Sequence, residues 1–573
     1  GDFGDVHYEL SNGVLVLEAL VENAEIAAEK QPWASMVDKI TKIVISDGVT
    51  TIADNAFADY TALTEVELPH GLEVIGDGVF AVSQSNDTSL TMALPRRLTA
   101  VGEDLFAGRS NVSLTVYYGS LGADITESGV TLDIQKVFKI LLIGNSFSED
   151  ASNAGMPNSQ MLDILQAMLG EDAMITVGLC YSGGKGLNWH ATQSEQGNSS
   201  YSLRVISTES GAWKNYGSYT SAKALTWADW DVVSLQHYEI NTTTGKESNA
   251  YSDQVDPKFD NLKSATEFML DYVDAYAPDA TVYFYMHWSR AYKANLNESL
   301  AEYNKMAAFF PVVMDYAGPE SNQTFEGIIP VGLAVQNARS TYLATLSYNS
   351  EKGITVNLQN DPQIGLQRDG GHMTYNVGRY IAALTFAETI IPEDMRAEGY
   401  VLPEIRVTES VGKLPTQYSI IAQKSVLAAV NSWKNGSLAV TNIEGYTEDP
   451  AVAASETLKK LPLELKCADA EALVEQIRTT VLSALPADFA VDVISVDTET
   501  QTASLTIRFG YTSVVVEMGY TLSAHSYENG ACTICGQKEP VVLHSYRWKI
   551  ENNAMVSVTT DGNTVNDLTL NTG

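Results

Sequence analysis

The chain has 573 residues, which is too long for one ordinary hydrophobic core, so we expect several domains. A hydrophobic fraction of 45% and a charged fraction of 18% are typical of a soluble globular protein, and no apolar run is long enough to span a bilayer. The formal net charge of -36 argues strongly against nucleic acid as a partner, because its phosphates would be repelled.

The first residues carry no recognisable targeting signal. Residues 1–30 begin at Gly1 and lack the basic and then apolar layout of a signal peptide. We therefore expect a trimmed chain from which an export signal has been removed. The four cysteines are too few and too scattered for a disulfide scaffold, so they leave the redox compartment open.

An internal repeat occupies the N-terminal part of the sequence. Three segments within residues 40–108 each contain a short alternating strand, a turn and a Phe, and these phenylalanines are Phe57, Phe80 and Phe106. One such unit cannot cover its own apolar face, so neighbouring units must stack into a solenoid. The pattern resembles the BspA-like leucine-rich repeats of bacterial surface and secreted proteins. The resemblance implies a β-rich spacer or docking domain, with an N-terminal cap, over residues 1–133.

From Val137 onward, strands alternate with amphipathic helices. The predicted strands are 137–144, 173–179, 230–236, 281–286 and, as a strand or strand-to-helix segment, 327–335. The predicted helices are 159–169, 257–277, 297–310, 374–390 and 416–433. This alternation predicts a three-layer α/β domain with a parallel sheet over residues 134–441. Ligands bind at the carboxyl ends of such strands, and the Tyr-rich stretches 201–219 and 238–252 are predicted to be insertions over that face.

The C-terminal part of the sequence predicts a smaller module. A helical segment at 468–485 precedes a hairpin pattern at 502–518, which indicates an α+β fold over residues 442–522. The following residues, 523–573, are polar and weakly patterned. We interpret them as a linker and the start of a further module.

The linker contains a Cys-x-x-Cys pair flanked by histidines. Cys532 and Cys535, with His525 before them and His544 after them, are residue types that bind zinc. Their spacing matches no well-defined finger, and a free dithiol or a disulfide is the alternative. These four residues are weak metal candidates, and we expect a protein with no metal and no organic cofactor.

Four segments with polar or glycine residues fall at the boundaries of the α/β elements. They are Gly144-Asn145-Ser146 after the first strand, Gly183 and Gly184 after the second, Gln236 and His237 after the third, and Asp369 with His372 before the helix at 374–390. A serine hydrolase needs a nucleophile, a base, a residue that orients the base and N–H donors for the oxyanion. Each segment alone is more often a turn or a cap, but the four in this order predict a catalytic site.

The segments LLIGNSFSED, DVVSLQ and DGGHMTYNVGRYIAA resemble, in this order, the sequence blocks of the SGNH (GDSL-like) hydrolase superfamily, over about residues 137–440. The resemblance implies a flavodoxin-like parallel sheet. It also implies a role for each matching residue: Ser146 as nucleophile and oxyanion donor, Gly183 or Gly184 as second donor, His372 as base and Asp369 as its orienting residue.

The sequence departs from the superfamily at two positions. Asn145 replaces the usual Asp beside the nucleophile, and Gln236 stands where an Asn block is usual, so the third oxyanion donor is open between Gln236 and His237. His287 and Trp288 follow the next strand. They are candidates for lining the substrate cleft, although packing under the sheet edge accounts for His287 and Trp288 equally well. Asn145 and His237 are further cleft candidates.

The resemblance implies a secreted or cell-surface serine esterase that removes acyl groups, above all acetyl groups, from carbohydrate without a cofactor. The expected partners are a glycan or small ester substrate and a protein or cell-wall partner of the repeats. Nucleic acid and a membrane span are not expected. The alternative is a non-catalytic surface adhesion protein that binds through the repeats and an SGNH-like scaffold.

Overall fold

The structure of the protein is a computed structural model. It describes residues 1–96, 98–157, 159–237, 239–241, 246–248, 256–289, 296–319, 323–343, 365–368, 371–407, 414–540, 546–551 and 554–559. The chain divides into two compact units: one contains the described residues up to 447, and the other contains those from 448 onward. Over these ranges, no helix is long and apolar enough to cross a membrane.

The N-terminal residues form a solenoid of short strands. The strands are β1 (Asp2–Phe3), β2 (Val6–Ser11), β3 (Val14–Ala19), β4 (Ala24–Ile26), β5 (Lys42–Ile45), β6 (Val49–Ile52), β7 (Glu65–Glu67), β8 (Val74–Ile75), β9 (Leu90–Ala93), β10 (Ala100–Val101), β11 (Val112–Tyr117) and β12 (Val130–Gln135), with 3-10 helices at Ala34–Lys39 and Leu121–Asp124. One sheet has the order β1-β2-β3-β5-β7-β9-β11-β12, and the second has the order β10-β8-β6-β4. Successive units pair in parallel, as a stacked repeat requires.

The repeated phenylalanines form the core of the solenoid. The rings of Phe57 and Phe80 stack with centroids 5.9 Å apart, and those of Phe80 and Phe106 stack at 5.8 Å. All three side chains are fully buried. Backbone N–H groups also bind the carboxylate of the preceding unit, since the Asp77 N–H donates to Asp54 and the Glu103 N–H donates to Asp77. The predicted stacking of units is confirmed.

The α/β region contains one large sheet and the helices that cover it. Its strands are β13 (Val137–Gly144), β14 (Met174–Tyr181), β15 (Tyr201–Ser207), β16 (Lys214–Tyr219), β17 (Val232–Gln236), β18 (Glu239–Asn241), β19 (Lys246–Ser248), β20 (Thr281–Tyr285) and β21 (Phe325–Ile329). Its helices are α1 (Ser146–Ser152), α2 (Gln160–Leu169), α3 (Leu187–Glu195), α4 (Ser221–Leu225), α5 (Leu262–Tyr276), α6 (Leu296–Ala307), α7 (Phe310–Val313), α8 (Val331–Ala338), α9 (Val377–Ile390) and α10 (Thr416–Lys434), with 3-10 turns at Pro257–Phe259 and Glu393–Met395.

The sheet order is β16-β15-β14-β13-β17-β20-β21. Strands β14, β13, β17, β20 and β21 pair in parallel in the order 2-1-3-4-5, which is the doubly wound flavodoxin-like arrangement. Every residue of β17 is buried, as expected for a strand covered on both faces. The helices pack in two groups, α2 with α8, α9 and α10, and α3 with α4 and α5. The predicted α/β fold with a parallel sheet is confirmed.

The first Tyr-rich stretch, 201–219, differs from its prediction as an insertion over the ligand-binding face. In the first stretch, β15 and β16 extend the sheet in antiparallel orientation beyond β14. The alternating pattern of Tyr201–Ser207 explains this, because its buried residues alternate with half-buried ones along most of the strand. The described part of the second stretch is a short hairpin of β18 and β19.

The C-terminal unit is a small α+β module, as predicted. It contains α11 (Pro450–Leu458), β22 (Leu463–Leu465), α12 (Ala470–Ser483), β23 (Phe489–Asp497), β24 (Thr502–Phe509) and β25 (Thr512–Leu522), and the sheet order is β22-β25-β24-β23. Two hairpins follow, β26 (Tyr527–Glu528) with β27 (Ala531–Cys532), and β28 (Tyr546–Glu551) with β29 (Ala554–Thr559).

Candidate active site

Ser146 and His372 meet at the carboxyl end of the central strand. The Ser146 Oγ lies 2.9 Å from His372 Nε2, and both residues are half-buried. Ser146 is the first residue of α1 and follows β13, while His372 lies in the loop before α9. The order of the parallel strands reverses between β13 and β17, so this pair occupies the position where open α/β sheets bind their ligands.

Asn145 fixes the turn that presents Ser146. Its Oδ1 accepts a hydrogen bond from the Phe147 N–H at 2.9 Å and thereby caps α1. Its Nδ2 donates to the Lys185 carbonyl at 2.8 Å, which ties this turn to the Gly-rich loop. Gly144 is required for close approach, because a Cβ there would lie 2.2 Å from Ser148 Oγ.

The Gly-rich loop runs beside the nucleophile turn. The Ser182 N–H donates to the Gly144 carbonyl at 3.0 Å, and Gly184 has a φ of 67°, a conformation that glycine adopts without strain. The pairing of β13 with β14 thus brings the loop of Gly183 and Gly184 to the turn that presents Ser146. Their role as oxyanion donors stays a prediction.

Gln236 lies beneath the nucleophile turn and is fully buried. Its Oε1 accepts from the Ser148 hydroxyl at 2.7 Å and from the Asn145 N–H at 3.2 Å. Its Nε2 donates to Asn145 Oδ1 at 3.1 Å and to the His237 carbonyl at 3.0 Å. Both amide hydrogens are therefore used inside the protein. This arrangement supports Gln236 as a residue that holds the turn in place, and it lends no support to the predicted third oxyanion donor.

The four candidates for lining the substrate cleft, Asn145, His237, His287 and Trp288, are all buried, with no residue more than 2% exposed. Their contact with a substrate stays a prediction. His237 Nδ1 accepts from the Leu187 N–H at 3.2 Å, so its ring lies under the start of α3. His287 Nδ1 lies 2.9 Å from the Trp288 carbonyl. These residues belong to the layer that supports the site.

Trp288 positions the loop that carries the base. Its indole Nε1 donates to the Gly371 carbonyl at 2.8 Å, one residue before His372. The Phe147 ring lies between the two, with its centroid 4.8 Å from that of Trp288 and 6.1 Å from that of His372. An aromatic layer thus supports the His372 ring from below.

Asp150 was missed by the sequence reasoning and joins the two halves of the site. This fully buried carboxylate accepts from the Arg368 guanidinium at 2.8 Å, from Arg379 Nη2 at 2.8 Å and from the Met373 N–H at 2.8 Å. The Tyr375 ring lies against both guanidinium groups, at 4.7 Å and 4.6 Å. The only available signal was that Asp150 follows Ser146 by about one helical turn.

The structure also places, or leaves outside its described residues, the five remaining candidates. Asp369, the predicted orienting residue, lies outside the described residues, and so does His544. His525, Cys532 and Cys535 come together in the C-terminal unit, where Cys467 joins them. The sequence reasoning missed Cys467, since it lies far from the Cys-x-x-Cys pair in the chain.

His190 is a buried structural residue beside this site. It stacks on Tyr201 with ring centroids 5.5 Å apart, and its Nδ1 lies 3.2 Å from the Tyr201 hydroxyl. Burial, together with the nearby Lys185 charge, lowers the pKa of His190 to about 3. The imidazole is therefore neutral at physiological pH.

A cavity of about 450 Å³ lies at the opposite edge of the sheet. Lys139 and Met174, near the beginnings of β13 and β14, contribute to its lining, together with Leu94 and Arg96 of the solenoid. Because the cavity is at the amino ends of these strands, it is separate from the Ser146–His372 pair.

The molecule thus combines a leucine-rich-repeat solenoid with a doubly wound α/β domain that carries a Ser–His pair. Residues 34–121 match the BspA type leucine rich repeat region in 6 copies, more than the three units found in the sequence. Residues 139–414 match the family described as Domain of unknown function (DUF4886). The chain therefore carries a BspA-type leucine-rich repeat region followed by a DUF4886 domain.

Among solved structures, the chain is similar to a DUF4886 family protein from Bacteroides uniformis. The identity is 19%, the match covers 55% of this chain and 100% of that chain, and the TM-score is 0.38. No curated protein matches the chain.

Proposed function

We propose that the α/β domain is a serine hydrolase of the SGNH type, an esterase that removes acyl groups, above all acetyl groups, from carbohydrate. The observation that carries the proposal is the 2.9 Å contact between Ser146 Oγ and His372 Nε2 at the switch point of the sheet. A hydroxyl that can transfer its proton to an imidazole is the arrangement that nucleophilic ester cleavage requires.

In the proposed reaction, His372 Nε2 accepts the Ser146 proton as Oγ attacks the ester carbonyl carbon. The oxyanion is bound by the backbone N–H groups of Ser146 and of Gly183 or Gly184. The tetrahedral intermediate collapses, the C–O bond to the sugar breaks, and His372 Nε2–H gives its proton to the leaving alcohol. Water then attacks the acyl-serine with His372 as base, which releases the acid and restores Ser146.

The buried layer under the site gives each remaining residue a positioning role in this proposal. Asn145 and Gln236 hold the nucleophile turn, while Asp150 and Trp288 hold the loop of His372. Fixing both partners on packed elements matters, because small displacements of a catalytic pair are costly to the rate. Asp369 remains the residue predicted to orient His372.

The carbohydrate substrate and a secreted or cell-surface location are further parts of the proposal. They are supported by the sequence resemblance to the SGNH superfamily and by the BspA-type repeats that precede the domain. The repeats are proposed to contact a protein or cell-wall partner, which would bring the esterase to its glycan.

The decisive experiment uses Ser146→Ala with p-nitrophenyl esters, acetylated oligosaccharides and a fluorophosphonate probe. We expect covalent labelling of wild type at Ser146, and a loss of esterase kcat on the order of 10⁶-fold in the variant. The matched control is Ser152→Ala in the same helix, whose hydroxyl donates to the Glu149 carbonyl at 3.3 Å and should leave both signals intact. Folded wild type that hydrolyses none of the esters and is not labelled would overturn the esterase and favour the non-catalytic binding protein.

A further inference from the structure

Four potential metal ligands converge in the C-terminal unit. Cys467 follows β22, His525 follows β25, and Cys532 and Cys535 lie in and after β27. Their ligand atoms all lie within 4.8 Å of one another. The sulfurs of Cys467 and Cys532 are 3.5 Å apart, and Cys535 Sγ lies 3.4 Å from His525 Nδ1.

The Cys467–Cys532 and Cys535–His525 separations are close to the edges of a tetrahedral zinc site. With zinc–sulfur bonds of about 2.3 Å and a zinc–nitrogen bond of about 2.0 Å, two thiolates lie about 3.8 Å apart and a thiolate–imidazole pair about 3.5 Å apart. Neither hydrogen bonding nor a disulfide explains why all four side chains converge at one point. A disulfide would join two of the sulfurs at about 2.05 Å and leave the third thiol and the imidazole without a function at the same point.

The segment around the pair has almost no apolar core. Within residues 524–539, which the structure describes completely, Cys532 is the one buried side chain. The hairpin of β26 and β27 has two residues in each strand, which is too short to be stable alone. Small segments of this kind need a covalent or metal cross-link to stay folded.

Backbone hydrogen bonds hold two of the cysteines in place at this point. The backbone N–H groups of Cys535 and Ile534 donate to the Cys532 sulfur. Cys467 is held by its own N–H, which donates to Ser523 Oγ at 3.1 Å, while the Ser523 N–H donates to the Leu465 carbonyl at 2.9 Å. The Cys467 ligand is therefore anchored to the parallel β22–β25 pair.

We propose that Cys467, His525, Cys532 and Cys535 bind one zinc ion that fastens the segment after β25 to the α+β module. Three thiolates and one imidazole form a closed tetrahedral donor set, which is typical of structural rather than catalytic zinc. The ion couples binding to local folding, because Cys467 and the Cys-x-x-Cys pair are 65 residues apart and meet only in the folded module. This replaces our sequence-based expectation of a chain without metal.

The test uses the whole chain, purified with a reducing agent and loaded with Zn²⁺ or Co²⁺. We expect one metal ion per chain after desalting, and for Co²⁺ the intense visible bands and thiolate charge-transfer absorption of a tetrahedral site. Cys535→Ser and His525→Ala should each lose the bound metal or weaken its binding at least tenfold. Cys180→Ala is the matched control, because this buried cysteine of β14 lies in the other compact unit, and it should keep the full metal content.

A second measurement uses wild type alone, so its result does not depend on whether the variants fold. Chelation of the metal from wild type should make residues 524–539 susceptible to limited proteolysis while α12 and the β23–β25 sheet stay protected. Failure of reduced, folded wild type to retain Zn²⁺ or Co²⁺ would overturn the proposal. A Cys467–Cys532 or Cys532–Cys535 disulfide found by mass spectrometry in protein purified without reductant, together with no metal uptake after reduction, would overturn it as well.

Discussion

The solenoid and the α/β domain are held together over very different distances along the chain. In the solenoid, contacts that join the units link residues close along the chain, such as Asp54 with Asp77, 23 positions apart, and Phe80 with Arg109, 29 positions apart. In the α/β domain, the contacts that join α1 to the His372 loop and α9 link residues 218 to 229 positions apart. The stability of a solenoid unit therefore depends mainly on its neighbours, whereas the geometry of the site depends on correct folding of the whole domain.

Because of this difference, we expect some substitutions to lower the stability of the solenoid without changing the geometry of the candidate site. A defect in one repeat removes packing between adjacent units but leaves the alignment of Ser146 with His372 untouched. A defect at Asp150 acts on both, because this residue connects the helix of the nucleophile with the loop of the base.

The largest effect on stability is expected from Phe80→Ala. Phe80 stacks on a ring at each face, so its truncation leaves a cavity in the middle of the solenoid and should cost about 4 kcal/mol of unfolding free energy. Urea unfolding measures this cost, with Phe80→Leu as a control that should lose about 1 kcal/mol. The proposed esterase activity of the folded variant at low temperature should stay at the wild-type level. A loss of activity in proportion to the loss of stability would contradict the independence of the site from the solenoid.

Asp150→Asn should lower both stability and activity. The change leaves the buried Arg379 guanidinium and the partly buried Arg368 guanidinium without their counter-charge, which is expected to cost about 3 kcal/mol. We also expect kcat for ester hydrolysis to fall more than KM changes, since the variant disturbs the His372 loop. The control is Asp163→Asn, whose ion pair with Arg406 is partly exposed and should contribute less than about 1 kcal/mol. Wild-type kcat in a destabilised Asp150→Asn protein would show that Asp150 has only a structural role.

The smallest expected effect, about 2 kcal/mol between pH 7 and pH 5, is a pH dependence that arises from His190. Its pKa is about 3 in the folded protein and about 6.5 in the unfolded chain, so below pH 6.5 only the unfolded state takes up the proton. Stability should therefore fall as the pH decreases, by up to about 1.4 kcal/mol per pH unit between 6.5 and 3. Thermal unfolding at pH 7 and pH 5 should show a smaller decrease in Tm for His190→Phe than for wild type. The exposed His70→Phe control should behave like wild type. An equal change of Tm with pH in all three proteins would contradict the assignment of this pH dependence to His190.

The sequence predicted those features whose signals are local. The period of Phe57, Phe80 and Phe106 was enough to predict stacking, and the strand–helix alternation was enough to predict the parallel sheet. Ser146 and His372 could be paired because the carboxyl ends of parallel strands converge, even though 226 residues separate them.

What could not be predicted depends on burial and on long-range pairing. Trp288 and His237 carry the same side chains whether they line a cleft or support it, and only the packing of α3 and α9 above them decides. The partners of Asp150 are determined by how the loop before α9 folds back on α1. The spacing of residues in the sequence does not predict this loop conformation. Cys467 was missed for the same reason, since its partners approach it through the pairing of β22 with β25.

The separation of Ser146 from His372 has a consequence during protein synthesis. At about 5 to 20 residues per second, a ribosome adds His372 roughly 11 to 45 seconds after Ser146. The solenoid can stack its units one after another during that time, because each new unit needs only the one before it. The proposed nucleophile stays without its proposed base until the final part of the domain has been made, so the Ser146–His372 pair forms only after the repeats that precede it have had time to fold.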